Sequence, residues 1–88
     1  SNNPSGTTYI CTNSGGITIS LPTGSIVPMG TNYRFIRRGG NVAFNTSSAV
    51  IRRANSSGTT SSWTSSSAHE WIDFFYDGTY WYAQCSGD

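Results

Sequence analysis

His69 and Glu70 stand side by side, Asp73 follows shortly after, and fifteen serines are spread along a chain of 88 residues. A serine hydrolase uses these residue types: a hydroxyl nucleophile, an imidazole base and a carboxylate that orients the base. Their spacing argues against one. Neighbouring side chains of an extended segment point to opposite faces, so His69 and Glu70 do not converge on one substrate. No G-x-S-x-G elbow presents a serine either. His69, Glu70 and Asp73 make a poor metal set, and Cys11 and Cys85, near opposite ends, lack zinc spacing. We expect no catalytic residue, no metal and no cofactor, with His69 at the surface on the edge of a strand. Cys11 and Cys85 have two readings. If the first and last strands are neighbours they can form a disulfide worth roughly 3–5 kcal/mol in chain entropy; in a reducing compartment both are buried thiols.

The other chemistry is binding. The stretch WIDFFYDGTYWYAQ, residues 71–84, places seven aromatic rings in fourteen positions. Asp77-Gly78 between two alternating aromatic runs predicts a hairpin with a two-residue type I′ turn, because Asp and Gly tolerate the positive φ angles it needs. The implied register sets Tyr76 opposite Thr79, Phe75 opposite Tyr80, Phe74 opposite Trp81, Asp73 opposite Tyr82, Ile72 opposite Ala83 and Trp71 opposite Gln84. One face then carries Ile72, Phe74, Tyr76, Trp81 and Ala83, and is uniformly apolar. The other carries Trp71, Asp73, Phe75, Tyr80, Tyr82 and Gln84. Burying the carboxylate and the amide unpaired would be costly, so this second face is predicted to be a contact surface, against a sister subunit or a ligand. Tyr80, Tyr82 and Asp73 are the best candidates for stacking and hydrogen bonding to a saccharide. Arg34 and Arg38, on the outer side of the NYRFIRR segment, could add contacts to an acidic sugar.

The elements that position these residues read as strands. Period-two alternation recurs: Ile17, Ile19 and Leu21 in GITISLP, Tyr33 and Phe35 in NYRFIRR, Val42 and Phe44 in NVAFN. These residues are expected to form the core with the apolar face of the last hairpin. Gly39-Gly40 reads as the turn of a second hairpin joining NYRFIRR to NVAFN. Ile51 lies in a short AVIRR segment. The Ser/Thr-rich stretch that follows reads as an exposed loop, except that Trp63 predicts a short strand packing back. The sum is an all-β domain, a small antiparallel sandwich or barrel of six to eight short strands. Residues 1–8 are expected to be linker and residues 9–88 a single domain. Met29 is the only methionine, so the chain reads as a piece of something longer.

Composition narrows the function classes. Hydrophobic residues make up 35% of the chain, and Ser, Thr, Gly and Asn supply about half of it. A core this thin makes help from self-association plausible. The net charge is +1, with five arginines and no lysine. Two Arg pairs without a reading motif do not make a nucleic-acid interface, and no apolar run approaches the ~20 residues of a membrane span.

The order ITISLP, a Pro/Gly loop (VPMG), a Y-x-F strand, Gly-Gly, V-x-F, a Ser/Thr-rich middle and a final DGTYWY resembles the small β-structured modules near the C-terminal ends of bacteriophage tail fibres, tail spikes and related virion appendages. The resemblance covers residues 16–84, and its most specific part is D-G-x-x-W-Y. It implies a homotrimer at or near the tip of a fibre, located on the virion and acting outside the cell. Such a module attaches the particle to a host through a cell-surface glycan or an outer-membrane protein, with Trp81 as the core tryptophan after the turn. The rings at Trp71, Phe75 and Tyr80 depart from the small or polar residues usual there. Two alternatives stand beside it: a carbohydrate-binding module of a secreted bacterial enzyme, and a structural trimerisation cap of a fibre.

Overall fold

A computed structural model of the chain describes residues 5–23, 27–53, 58–66 and 69–86. Among the described residues the chain forms eight strands: β1 (Thr7–Cys11), β2 (Ile17–Ser20), β3 (Asn32–Arg37), β4 (Val42–Asn45), β5 (Ile51–Arg53), β6 (Ser62–Thr64), β7 (Trp71–Tyr76) and β8 (Trp81–Cys85). They make a five-stranded sheet in the order β1-β3-β7-β8-β5 and a three-stranded sheet in the order β2-β4-β6. The all-β, two-sheet architecture is the one expected, and Trp63 lies in the short strand β6. The expected antiparallel arrangement is corrected, since strand polarity is mixed: β1 runs parallel to β3, β2 to β4 and β5 to β8, while β7 pairs antiparallel with both neighbours and β6 with β4.

The parallel pairs arise because the chain changes sheet at its corners instead of folding back on itself. β1 leads through residues 12–16 into β2 in the other sheet, and β3 leads through residues 38–41 into β4 in the same way. Gly39-Gly40 therefore does not turn a hairpin, and β3 and β4 do not pair. What the two glycines permit is a stacked corner. Arg38 N and Gly39 N both donate to Cys11 O (2.9 and 3.1 Å), and Gly40 N donates to Asn13 O at 2.8 Å. A Cβ on Gly39 would stand 2.6 Å from the carbonyl oxygens of Thr12 and Asn13. Ser65, just after β6, and Glu70, just before β7, bond to residues on either side of the second corner. Ser65 N donates to Val42 O, Ser65 Oγ accepts from Val42 N, and Arg37 N donates to Glu70 O.

Between the sheets lie the inward residues of every strand. Trp81, Phe44, Phe74, Ile51, Ile72 and Val42 are the largest side chains sealed from solvent. Tyr33, Phe35, Tyr76 and Leu21 are buried with them, and Ile17 and Ile19, also expected inside, are half-buried against the cluster. Phe44 sits within 5 Å of the ring centroids of both Phe35 and Phe74 (4.9 and 4.6 Å) in tilted or edge-on contact, the geometry aromatic rings prefer.

Several expectations are corrected. Strand β1 begins at Thr7, and Gly6 N already donates to Asn32 O at 2.7 Å, so the linker expected over residues 1–8 is folded structure from Ser5 onward; residues 1–4 lie outside the described residues. Of the two readings of Cys11 and Cys85, the structure has the second, two buried thiols without a disulfide between them. They belong to β1 and β8, between which β3 and β7 intervene, and three inter-strand steps of ~4.8 Å put them too far apart to bridge. Burial raises the Cys11 thiol pKa, which keeps it protonated and inert. His69 is buried, not on the surface: its Nδ1 accepts from Ser66 N at 2.9 Å and its ring lies 5.4 Å from that of Trp63.

Candidate functional site

The turn between β7 and β8 orients the candidate surface. Tyr76 faces Trp81, Phe75 faces Tyr82, Phe74 faces Ala83, Asp73 faces Gln84 and Ile72 faces Cys85. The bend is thus centred on Gly78 and Thr79, one residue later than expected, and each partner on β8 is shifted by two. A type I′ turn at Asp77-Gly78 would need positive φ at both residues, whereas among the described residues no residue other than glycine has one and Gly78 adopts φ 103°. Asp77 flanks the bend and caps it: its Oδ1 accepts from Tyr80 N at 2.7 Å and Thr79 N at 2.8 Å. Because a shift of two preserves the alternation, every residue of β7 and β8 keeps its predicted face.

Those backbone bonds, from Tyr80 first and Thr79 second, hold the Asp77 carboxyl below its ordinary value of 3.8. A carboxyl depressed in the folded state stabilises the fold fully above the unfolded value, and the contribution disappears as pH falls through the folded one. We expect Asp77→Asn to melt below the wild type near neutral pH, with the gap closing in acid, and Asp77→Ala to melt lower still. Thermal unfolding followed by circular dichroism across pH 2–7 checks both.

The outward residues of the five-stranded sheet form three rows across the strands. Ile10, Ile36 and Trp71 make the first, and Thr8, Arg34, Asp73 and Gln84 the second. Asn32, Phe75, Tyr82 and Arg52 make the third. Along the middle and third rows runs an open groove of about 500 Å³, lined by residues that include Asn32, Arg34, Asp73, Phe75, Tyr82 and Gln84. Arg34 grips Asp73 with a two-pronged contact, Nε to Oδ1 at 2.7 Å and Nη2 to Oδ2 at 2.8 Å. Their side chains are 51% and 36% exposed, so the pair contributes orientation more than stability. The Asp73 hydrogen bond raises the Arg34 pKa further, and the guanidinium lies 5.5 Å from the Trp71 ring. Phe75 and Tyr82 are 48% and 37% exposed. The Tyr82 hydroxyl pKa is raised, first by hydrogen bonding to Asp77 and then by burial.

Of the residues predicted for this surface, Arg34, Asp73, Phe75, Tyr82 and Gln84 meet in the groove. Trp71 borders it through Arg34. Tyr80 lies in the turn, half-buried, with its ring 6.5 Å from that of Tyr82. Arg38 follows the end of β3 in the corner and does not line the groove. Thr8 and Asn32, which do, were not anticipated. Asn32 shares the parity of Arg34 and could have been found by alternation. Thr8 could not, since no turn signal announces that β1 lies parallel beside β3. Arg34 is committed to Asp73, so the groove's charge is locally balanced and the acidic-sugar role expected of Arg34 loses its free cation.

Exposed aromatic faces beside a fixed carboxylate–guanidinium pair and two amides suit a ligand with both apolar C–H faces and many hydroxyls. Among the described residues no group of three or more His, Cys, Asp or Glu side chains could hold a metal ion. No protein-family model, curated protein or solved structure matches the chain.

Proposed function

We propose that this chain is a non-enzymatic attachment module of a phage virion, and that it touches a host-surface saccharide through the groove on its five-stranded sheet. The observation that carries the reading is the juxtaposition in that groove: Phe75 and Tyr82 offer ring faces beside Arg34 and Asp73, which hold each other in a fixed planar fork. A sugar ring would stack its C–H face on the aromatic row. Its hydroxyls would donate to the outer lone pairs of Asp73 and exchange hydrogen bonds with Asn32 and Gln84. The balanced Arg34–Asp73 charge favours a neutral sugar. The setting on a phage fibre rests on the resemblance carried by DGTYWY and the strands before it.

A glycan array probed with the labelled chain tests this. The wild type should bind a neutral glycan, and Phe75→Ala or Tyr82→Ala should each weaken binding at least about tenfold, as expected for aromatic anchors at a contact. Binding to host outer-membrane extract without any glycan signal would move the receptor to a protein. Silence in both assays would sink the proposal.

A further inference from the structure

The two ends of the sandwich are built differently. At one end the outer strands are β5 and β6, three residues each. This end is closed: Ile51 and Thr60 exchange both backbone hydrogen bonds at 2.9 Å, and the Arg53 guanidinium lies 4.1 Å over the Trp63 ring, tying β5 of one sheet to β6 of the other. Short strands and charged side chains are the usual protection of a sheet edge. At the other end the outer strands are β1 (TTYIC) and β2 (ITIS), joined directly by one corner. Neither carries a charge or a proline. Among the described residues neither has a strand on its outer side. Among the described residues both edges of this end therefore lie open side by side.

The backbone directions are set by the bonds already made. Cys11 O accepts from Arg38 N, so in the parallel ladder Tyr9 and Cys11 turn their polar groups toward β3, and Thr8 and Ile10 turn theirs outward. Leu21 N donates to Asn45 O, which likewise leaves Thr18 and Ser20 facing outward on β2. The side chains at this end are unfinished too. Tyr9, Ile17 and Ile19 point into the core yet are only half-buried, and Ile10 on the outer face is 66% exposed.

We propose that this end binds a second copy of the same chain, edge to edge. One two-fold axis, perpendicular to both sheets, sets β1 antiparallel to its own copy and, in the same rotation, β2 antiparallel to its own copy. An isologous contact needs such self-complementarity, and any strand pairs antiparallel with itself without charge conflict when it carries no charge. The outcome is a continuous ten-stranded sheet over a continuous six-stranded one, with Tyr9, Ile17 and Ile19 covered. Another kind of partner, such as a peptide added to one edge, would leave the second edge and the half-buried core unserved. The resemblance implies three copies; this geometry closes with two.

Light scattering on residues 1–88 decides between them. The expected mass is twice the 9.5 kDa of the chain. Replacing Ile10 and Thr18 together with lysine, both at exposed side chains, sets like charges against each other across the axis and should raise the dimer dissociation constant at least about tenfold. Ser62→Lys, on β6 at the closed end, should leave it unchanged. Amide exchange gives a second readout. Thr8, Ile10, Thr18 and Ser20 should be protected in the wild type and exposed in the double variant, while the β7 and β8 amides stay slow in both. A monomer, a trimer, or a dimer broken by Ser62→Lys and not by the double variant overturns the proposal.

Discussion

Trp81→Ala is expected to leave little folded protein at 25 °C, read as loss of near-ultraviolet circular dichroism and of a cooperative urea transition. The indole is fully buried and makes ring contacts with Tyr33, Phe74 and Tyr76 at centroid distances of 5.8, 6.3 and 4.9 Å. It also donates Nε1–H to Pro22 O at 2.7 Å, which fastens the chain leaving β2 to the opposite sheet. Truncating a buried aromatic to alanine costs about 3–5 kcal/mol through lost transfer energy and the cavity left behind. A domain this small has no more than ~5 kcal/mol in total, at the low end of the range for folded proteins. Trp81→Phe should be milder, since it keeps most of the packing and loses one part-buried hydrogen bond, worth about 1 kcal/mol. Tyr82→Ala, one residue on and facing outward, should leave the melting temperature near the wild type. If Trp81→Ala and Tyr82→Ala melted alike, the assignment of the two faces would be wrong.

Gly40→Ala is expected to have the second-largest effect, although it adds a single methyl group. A Cβ at Gly40 would stand 2.5 Å from Gly16 N and 2.7 Å from Ser14 O, both backbone atoms of the corner stacked against it. No side-chain rotation relieves contacts with backbone, so the two corners must separate and the bond from Gly40 N to Asn13 O must lengthen. Overpacking at a rigid contact costs about 3 kcal/mol or more. Gly58→Ala is the control: nothing lies within 4 Å of its Cβ position, and an alanine in open space should be neutral or slightly stabilising. Urea midpoints of the two variants check the contrast. Equal midpoints would mean that the corners do not hold the sheets in register.

Much of the candidate surface was legible because it depends on parity. Trp71, Asp73, Phe75, Tyr82 and Gln84 all face outward, as alternation implies, and the hairpin register could slip by two residues without moving any of them. The turn itself was misplaced because Asp-Gly favours the same local bend whether Asp lies inside it or flanks it. Its capping bonds to Thr79 and Tyr80 decide which. Arg34 was placed on the correct face, but its partner Asp73, 39 positions away in the chain, could not be read from either segment alone.

By itself, then, the order of residues determined the all-β class, the inward set around Phe44, Phe74 and Trp81, and the mixed polar and aromatic character of the outer face. These are local properties: side chains alternate at a period of two, and water sorts the apolar ones inward. Only the tertiary structure decided which strands lie side by side. It sent β3 and β4 into different sheets, drew β1 in beside β3, separated Cys11 from Cys85 and left the β1–β2 end open. The physical reason is that a glycine pair specifies a permissive backbone and not its destination. At Gly39-Gly40 the choice between hairpin and corner was made by close contact with residues 12–16, which no nearby residue encodes.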